Sequence, residues 1–205
     1  MVRKIKILNL YAGIGGNRKL WGEEHKVTAI ENNENIAKIY QDLYPNDKVI
    51  VTDAHQYLLE HFKEFDFIWA SPPCPSHSKL AKANVKRKIT YPDMKLYEEI
   101  ILLQHFYKGK YCVENVIGYY KPLIEPKILQ RHYFWTNFDI PNKEFVREQV
   151  GTVKDRERLT ELYGINIDKY TGIDKRQCLR NCVLPELGKY ILDCLMNELE
   201  GGDND

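Results

Sequence analysis

Cys74 and Glu114 are the residues whose type and setting could carry a reaction. Cys74 stands in Ser71-Pro72-Pro73-Cys74-Pro75, where prolines fix φ on either side and hold the thiol in place. Taken singly, a cysteine is more often a small buried hydrophobe than a nucleophile. Glu114, in Glu114-Asn115-Val116, shifts that balance: a nucleophile on one strand end and an acid on the next can converge on one substrate ring. A third feature is the turn Tyr11-Ala12-Gly13-Ile14-Gly15-Gly16, whose glycines let a ligand approach backbone N–H groups. It lacks the pattern of a nucleotide-phosphate loop. Glu31 closes the next strand-like run, where doubly wound folds hydrogen-bond a ribose diol, and Asp53 closes the following one in the position for an adenine-side contact. Together these predict an adenosine-bearing cofactor.

Between the two reactive residues lies a basic run. From Pro75 through Pro92 there is no acid, while Lys79, Lys82, Lys86, Arg87 and Lys88 supply five cations. Such a run reads either as a solvated loop or as a segment placed to close over a polyanion. Other candidates are weaker. Cys178 and Cys182 are four apart, but no histidine or cysteine pair at zinc spacing joins them, so no metal is expected. Cys112 and Cys194 read as core, and of the six histidines only His77 and His132 fall near the expected site.

These residues need strands to hold them. Lys4 to Leu10, Lys26 to Glu31, Lys48 to Thr52 and Phe65 to Ala70 read as four strands, and Lys110 to Val113 as a fifth. Helical patterns alternate with them at Asn17 to Glu24, Asn35 to Leu43, Gln56 to Lys63 and Met94 to Tyr107. That alternation specifies βαβ units: an α/β, doubly wound and mainly parallel sheet with ligand sites at the strand carboxyl ends. Arg131 to Phe138 is strand-like, Pro185 to Leu199 has helical spacing, and Asp139 to Arg176 is polar and weakly periodic, without an assignable element.

With 205 residues, the chain is one domain by size. Hydrophobic residues at 43% and charged residues at 29% exclude a disordered, collagenous or disulfide-stapled protein. Apolar runs such as Ile100 to Leu103 are too short to cross a bilayer, so no membrane association is expected. A net charge of +1 excludes the blanket basicity of non-specific nucleic-acid coats. Nothing at the N-terminus marks the chain for export, and five cysteines without a framework suit a reducing compartment, so a cytoplasmic location is expected.

The ordered set Y-A-G-I-G-G, Glu31, Asp53, P-P-C-P, E-N-V, R-H-Y-F-W and R-N-C-V resembles the cytosine-C5 DNA methyltransferases, from about Asn9 to about Leu192. The resemblance implies the S-adenosylmethionine-dependent methyltransferase fold, with a catalytic and cofactor-binding domain over residues 1–138 and 176–205 and a short recognition segment over 139–175. It implies S-adenosyl-L-methionine as cofactor, S-adenosyl-L-homocysteine as product and double-stranded DNA as partner, and says nothing of oligomeric state. Cys74 is then the nucleophile that adds to C6 of a flipped-out cytosine, and Glu114 holds the base at N3 and its exocyclic amine. Tyr11, Ala12, Gly13, Gly15 and Gly16 would surround the methionine portion, Glu31 and Asn32 the ribose, and Asp53 and Ala54 the adenine. Pro73 would line the same site. Leu96 would pack on the adenine or sulfur side, and Asn181, Cys182 and Val183 would cover the methionine end, although Leu96 and Val183 read equally well as core. Lys79, Lys82, Lys86, Arg87 and Lys88 would contact DNA as part of a closing loop.

Three departures from the family pattern stand out. Glutamine usually follows the nucleophile, where this chain has Pro75. The usual arginine, any residue, arginine reduces here to Arg131-His132; with Tyr133-Phe134-Trp135 setting the alignment, His132 takes the base-contacting arginine's place and Arg131 is its neighbour. The interval 139–175 is shorter than the usual recognition domain. Two rivals stay open: a related branch that methylates cytosine in transfer RNA, and a catalytically silent binding or regulatory paralogue.

Overall fold

A computed structural model describes residues 3–74, 76–78, 91–147 and 154–201. The five cations assigned to DNA contact lie outside them, as does Pro75. Five strands, β1 (Lys6–Leu10), β2 (Lys26–Ile30), β3 (Lys48–Ile50), β4 (Phe67–Ala70) and β5 (Lys110–Val116), run parallel, and a hairpin of β6 (Lys127–Leu129) and β7 (His132–Thr136) continues the sheet. The order is β3-β2-β1-β4-β5-β7-β6, with β7 antiparallel to β5. The chain moves to opposite sides of β1, which opens a crevice at the strand carboxyl ends.

Period-two alternation divides the core. Ile7, Phe67, Trp69 and Cys112 face one cluster, where they meet Ile39 of α1 (Glu34–Leu43) and Leu187, Ile191 and Leu195 of α6 (Pro185–Gly201). Their neighbours Leu8, Ile68, Ala70 and Val113 face the other, against Leu58 of α2 (Ala54–His61) and Ile100 and Leu103 of α3 (Lys95–Phe106). Both faces being covered explains why β1 and β4 read as apolar runs rather than half-polar strands. Trp69 is fully buried between Trp21 and Phe134, at centroid distances of 5.7 and 6.3 Å, and its truncation to alanine would cost about 3 to 5 kcal/mol.

Three expectations change. Asn17 to Glu24 is a chain of turns, not a helix. Its helical composition is overridden by tertiary demands: Arg18 is drawn inward to Asp47, Asn17 donates to Asn9, and Gly22 at φ 82° stops the run. The fifth strand does not end before Glu114; β5 continues to Val116 because β7 pairs with it, Glu114 opposite Phe134 and Val116 opposite His132. The unassigned stretch holds α4 (Asp155–Tyr163), packed on the short α5 (Lys175–Arg180), and Leu159, Tyr163, Ile165 and Ile167 join the sheet's own core. Among the described residues no helix is long and apolar enough to cross a membrane.

Candidate active site

The glycine turn leaves β1 under strain. Tyr11 adopts φ 56°, a left-handed conformation costly for a bulky residue. Its hydroxyl is tied to Glu99 of α3, a fully buried carboxylate that also meets His55 Nδ1 at 2.9 Å. Burial pushes the Glu99 carboxyl up, and the hydrogen bond to Glu99 pushes His55 up in turn. Behind the turn, Arg18 grips Asp47 through Nε at 2.8 Å and Nη2 at 3.0 Å, a buried bidentate pair. Tyr40 donates to Asp47 at 2.8 Å and Tyr44 to the Gly15 carbonyl at 2.7 Å. Gly15 packs so closely on these rings that an added Cβ would lie 2.3 Å from Tyr44.

Glu31 fixes the front of the turn. One carboxylate oxygen accepts from Gly13 N–H at 3.0 Å and the other from Asn33 N–H at 2.9 Å. A carboxylate has about four acceptor positions, so two remain for a diol. Asn33 caps α1 and Asp53 caps α2, each accepting helix N–H groups, which brings both helix starts to the crevice. A Cβ on Gly13 would enter open space at the cavity, so backbone is exposed there to a ligand. A molecule that carries a diol fits these donors and acceptors.

The reactive corner is built from side chains. Cys74 ends the segment after β4, which is held by Trp69 Nε1 donating to Ser71 Oγ at 2.9 Å and by Asn115 Nδ2 donating to the Pro72 carbonyl at 3.0 Å. Its thiol is pushed up to about 11, first by burial and then by the charge of Glu114. His77 and Ser78 both donate backbone N–H to the Cys74 carbonyl at 3.0 Å, and the buried His77 ring meets Tyr120 Oη at 2.5 Å. His77 thus ties the turn at Cys74 to the loop after β5. Glu114 and His132 lie on the same face of β5 and β7, two register steps apart, and His132 Nδ1 meets Glu114 Oε1 at 2.5 Å with both side chains buried.

One cavity of about 340 Å³ joins most of the expected residues: Tyr11, Ala12, Gly13, Gly16, Glu31, Asn32, Pro73, Cys74, Glu114, Arg131, His132, Asn181, Cys182 and Val183. A smaller neighbour of about 110 Å³ takes in Asp53, Ala54 and Leu96 and shares Tyr11, Glu31, Asn32 and Pro73. Gly15 lines neither and acts from behind the turn. His132 rather than Arg131 reaches Glu114; Arg131 Nη2 instead points to the carbonyls of Arg180 and Cys182, each at 3.4 Å. Arg180, quoted within R-N-C-V but given no role, and His55, not singled out by the sequence, line the two cavities. Their neighbours Asn181 and Ala54 were found; the partners that orient them, Asp155 and Glu99, are distant in sequence.

The model of the C-5 cytosine-specific DNA methylase family matches residues 5–128, more than half of the chain. No curated protein matches. Similar solved structures include a hypothetical protein of Thermus thermophilus at 17% identity, covering 65% of this chain and 75% of that one with a TM-score of 0.46. NSun6 of Pyrococcus horikoshii is 16% identical, covering 56% and 34% with a TM-score of 0.43. A DNMT2 mutant of Spodoptera frugiperda is 24% identical, covering 54% and 35% with a TM-score of 0.38. At these TM-scores none bears on what this chain does.

Proposed function

Because the chain belongs to the C-5 cytosine-specific DNA methylase family, we propose that it methylates C5 of cytosine in double-stranded DNA through a covalent Cys74 adduct. The observation that carries this reading is the shared cavity, which Cys74, Glu114 and His132 line together with Tyr11, Ala12, Gly13 and Gly16 of the glycine turn. Tyr11 to Gly16, Glu31, Asp53 and Ala54 would hold S-adenosyl-L-methionine, which when bound supplies an electrophilic methyl group and departs as S-adenosyl-L-homocysteine.

The residues divide the remaining work. Neutral cytosine is a poor electrophile at C6. Proton sharing between Glu114 and N3 draws electron density from the ring while the Cys74 thiolate forms its bond to C6, leaving C5 nucleophilic. His132 occupies Glu114 Oε1 and leaves Oε2 for the base edge. After methylation, loss of the C5 proton and breakage of the Cys74–C6 bond restore aromaticity. C6 is stacked inside a duplex, so the base must leave the helix to meet Cys74.

Expression of the wild-type chain and the Cys74→Ser variant in a host without cytosine methylation, followed by digestion of DNA and RNA, tests this. 5-Methylcytosine in DNA from the wild type alone is the expected result. Its appearance only in RNA would move the activity to that polymer, and its absence from both would overturn the reading.

A further inference from the structure

We propose that Arg180, oriented by Asp155, binds a phosphodiester of the strand that carries the target cytosine; this rests on the nucleic-acid methyltransferase reading above. Arg180 closes α5 and its side chain, 28% exposed, lines the same cavity as Cys74, Glu114 and His132. Asp155, the first residue of α4, is fully buried and takes two arginines at once. Arg176 Nε reaches Oδ1 at 2.7 Å, while Arg180 Nε and Nη2 reach Oδ2, each at 2.7 Å.

The single carboxylate of Asp155 is thus shared between two guanidinium groups. A guanidinium carries five N–H donors in a rigid plane, so fixing Arg180 through its Nε and Nη2 side leaves the Nη1 group as its outer donor. Arg131 adds a second cation on this corner, within 3.4 Å of the Arg180 carbonyl. Glu114, the acid on the base side of the cavity, is already matched by His132. A planar donor that lines the cavity and is fixed by a buried partner recognises a phosphate oxygen at little ordering cost. On this reading α4, in the middle of the 139–175 interval, braces a cation at the active site.

A purely structural ion cluster would make Arg176 and Arg180 equivalent, and the test uses that. Fluorescence anisotropy of a labelled cytosine-containing DNA duplex and of bulk transfer RNA, across a range of salt concentrations, compares wild type, Arg180→Gln and Arg176→Gln. Arg180→Gln should flatten the slope of log affinity against log salt by about 0.7 to 0.9 on the polymer that the chain methylates. Melting temperature should fall in both arginine variants, since each removes one partner of the buried Asp155, so the salt slope is the readout that separates them. Arg176→Gln should keep the wild-type slope, whereas Asp155→Asn, if it folds, should lose what Arg180→Gln loses. A wild-type slope in Arg180→Gln, or an equal loss in Arg176→Gln, overturns the assignment while leaving methylation by the wild type intact. A wild-type chain that neither binds nor methylates either polymer overturns the underlying function with it.

Discussion

The glycine turn and the Cys74 corner sit on neighbouring strand ends, and they are made of different material. The turn offers backbone N–H groups, and its shape is imposed from behind by Tyr40, Tyr44 and the Arg18–Asp47 pair. The corner offers titratable side chains, and its geometry rests on hydrogen bonds among them: Glu114 with His132, Asn115 with Pro72, His77 with Tyr120. Steric shape therefore governs the first and protonation the second. A substitution in the turn should act through fit, and one in the corner through chemistry.

The sharpest separation should come from Cys74→Ser. A hydroxyl is far less ionised than a thiol near neutral pH, so methyl transfer should fall below detection while calorimetric affinity for S-adenosyl-L-methionine stays within about two-fold. Retained activity would remove Cys74 from the chemistry and blur the distinction between the two regions.

A smaller effect of the opposite kind is expected from Gly15→Ala. The new Cβ would meet the Tyr44 ring at 2.3 Å and sit at φ 76°, so stability should drop by about 1 to 3 kcal/mol or more, with cofactor affinity reduced alongside. Denaturant unfolding and calorimetry on the same sample measure both. An unchanged midpoint would show that the turn is not held by the fit of its rear face.

The smallest effect concerns protonation. With the Cys74 thiol pushed up to about 11, its thiolate fraction rises with pH through the neutral range, so iodoacetamide should label it faster by about ten-fold for each step from roughly pH 7 to 10. Glu114→Gln removes the charge that raises the thiol second after burial, so labelling at a given pH should quicken by up to roughly ten-fold even as methylation is lost. Equal labelling rates in the two proteins would break the coupling between Cys74 and Glu114.

The same contrast explains what could be read from the sequence. The turn was legible because glycines, Glu31 and Asp53 follow successive strands, and local chain order places them together. Cys74 was legible as a residue that follows a strand of a parallel sheet, whereas Glu114, expected at a strand end, lies within β5. The Glu114–His132 bond was not legible, because it depends on the antiparallel register of β7, which residue spacing does not specify. Asn17 to Glu24 misled for a related reason: its composition favours a helix, while the Arg18 partner that unwinds it lies 29 positions away. The contribution of α4 was hidden because its hydrophobic residues are few and join a core shared with the sheet.

Gly16 bears on how the molecule is made. A Cβ there would lie 2.5 Å from that of Cys182, and one on Gly188 would lie 2.4 Å from the Asn17 carbonyl oxygen, while Trp21 donates to the Gly188 carbonyl at 3.1 Å. The first turn of the chain is thus sealed by its last segment, across more than 160 residues. Contacts of such long range form late, after the entropy of closing the intervening chain has been overcome. During synthesis the sheet face that Leu187, Ile191 and Leu195 cover stays open until the last residues emerge, so a ribosome-bound chain stopped short of Asn181 should lack both that half of the core and the segment that packs on Gly16.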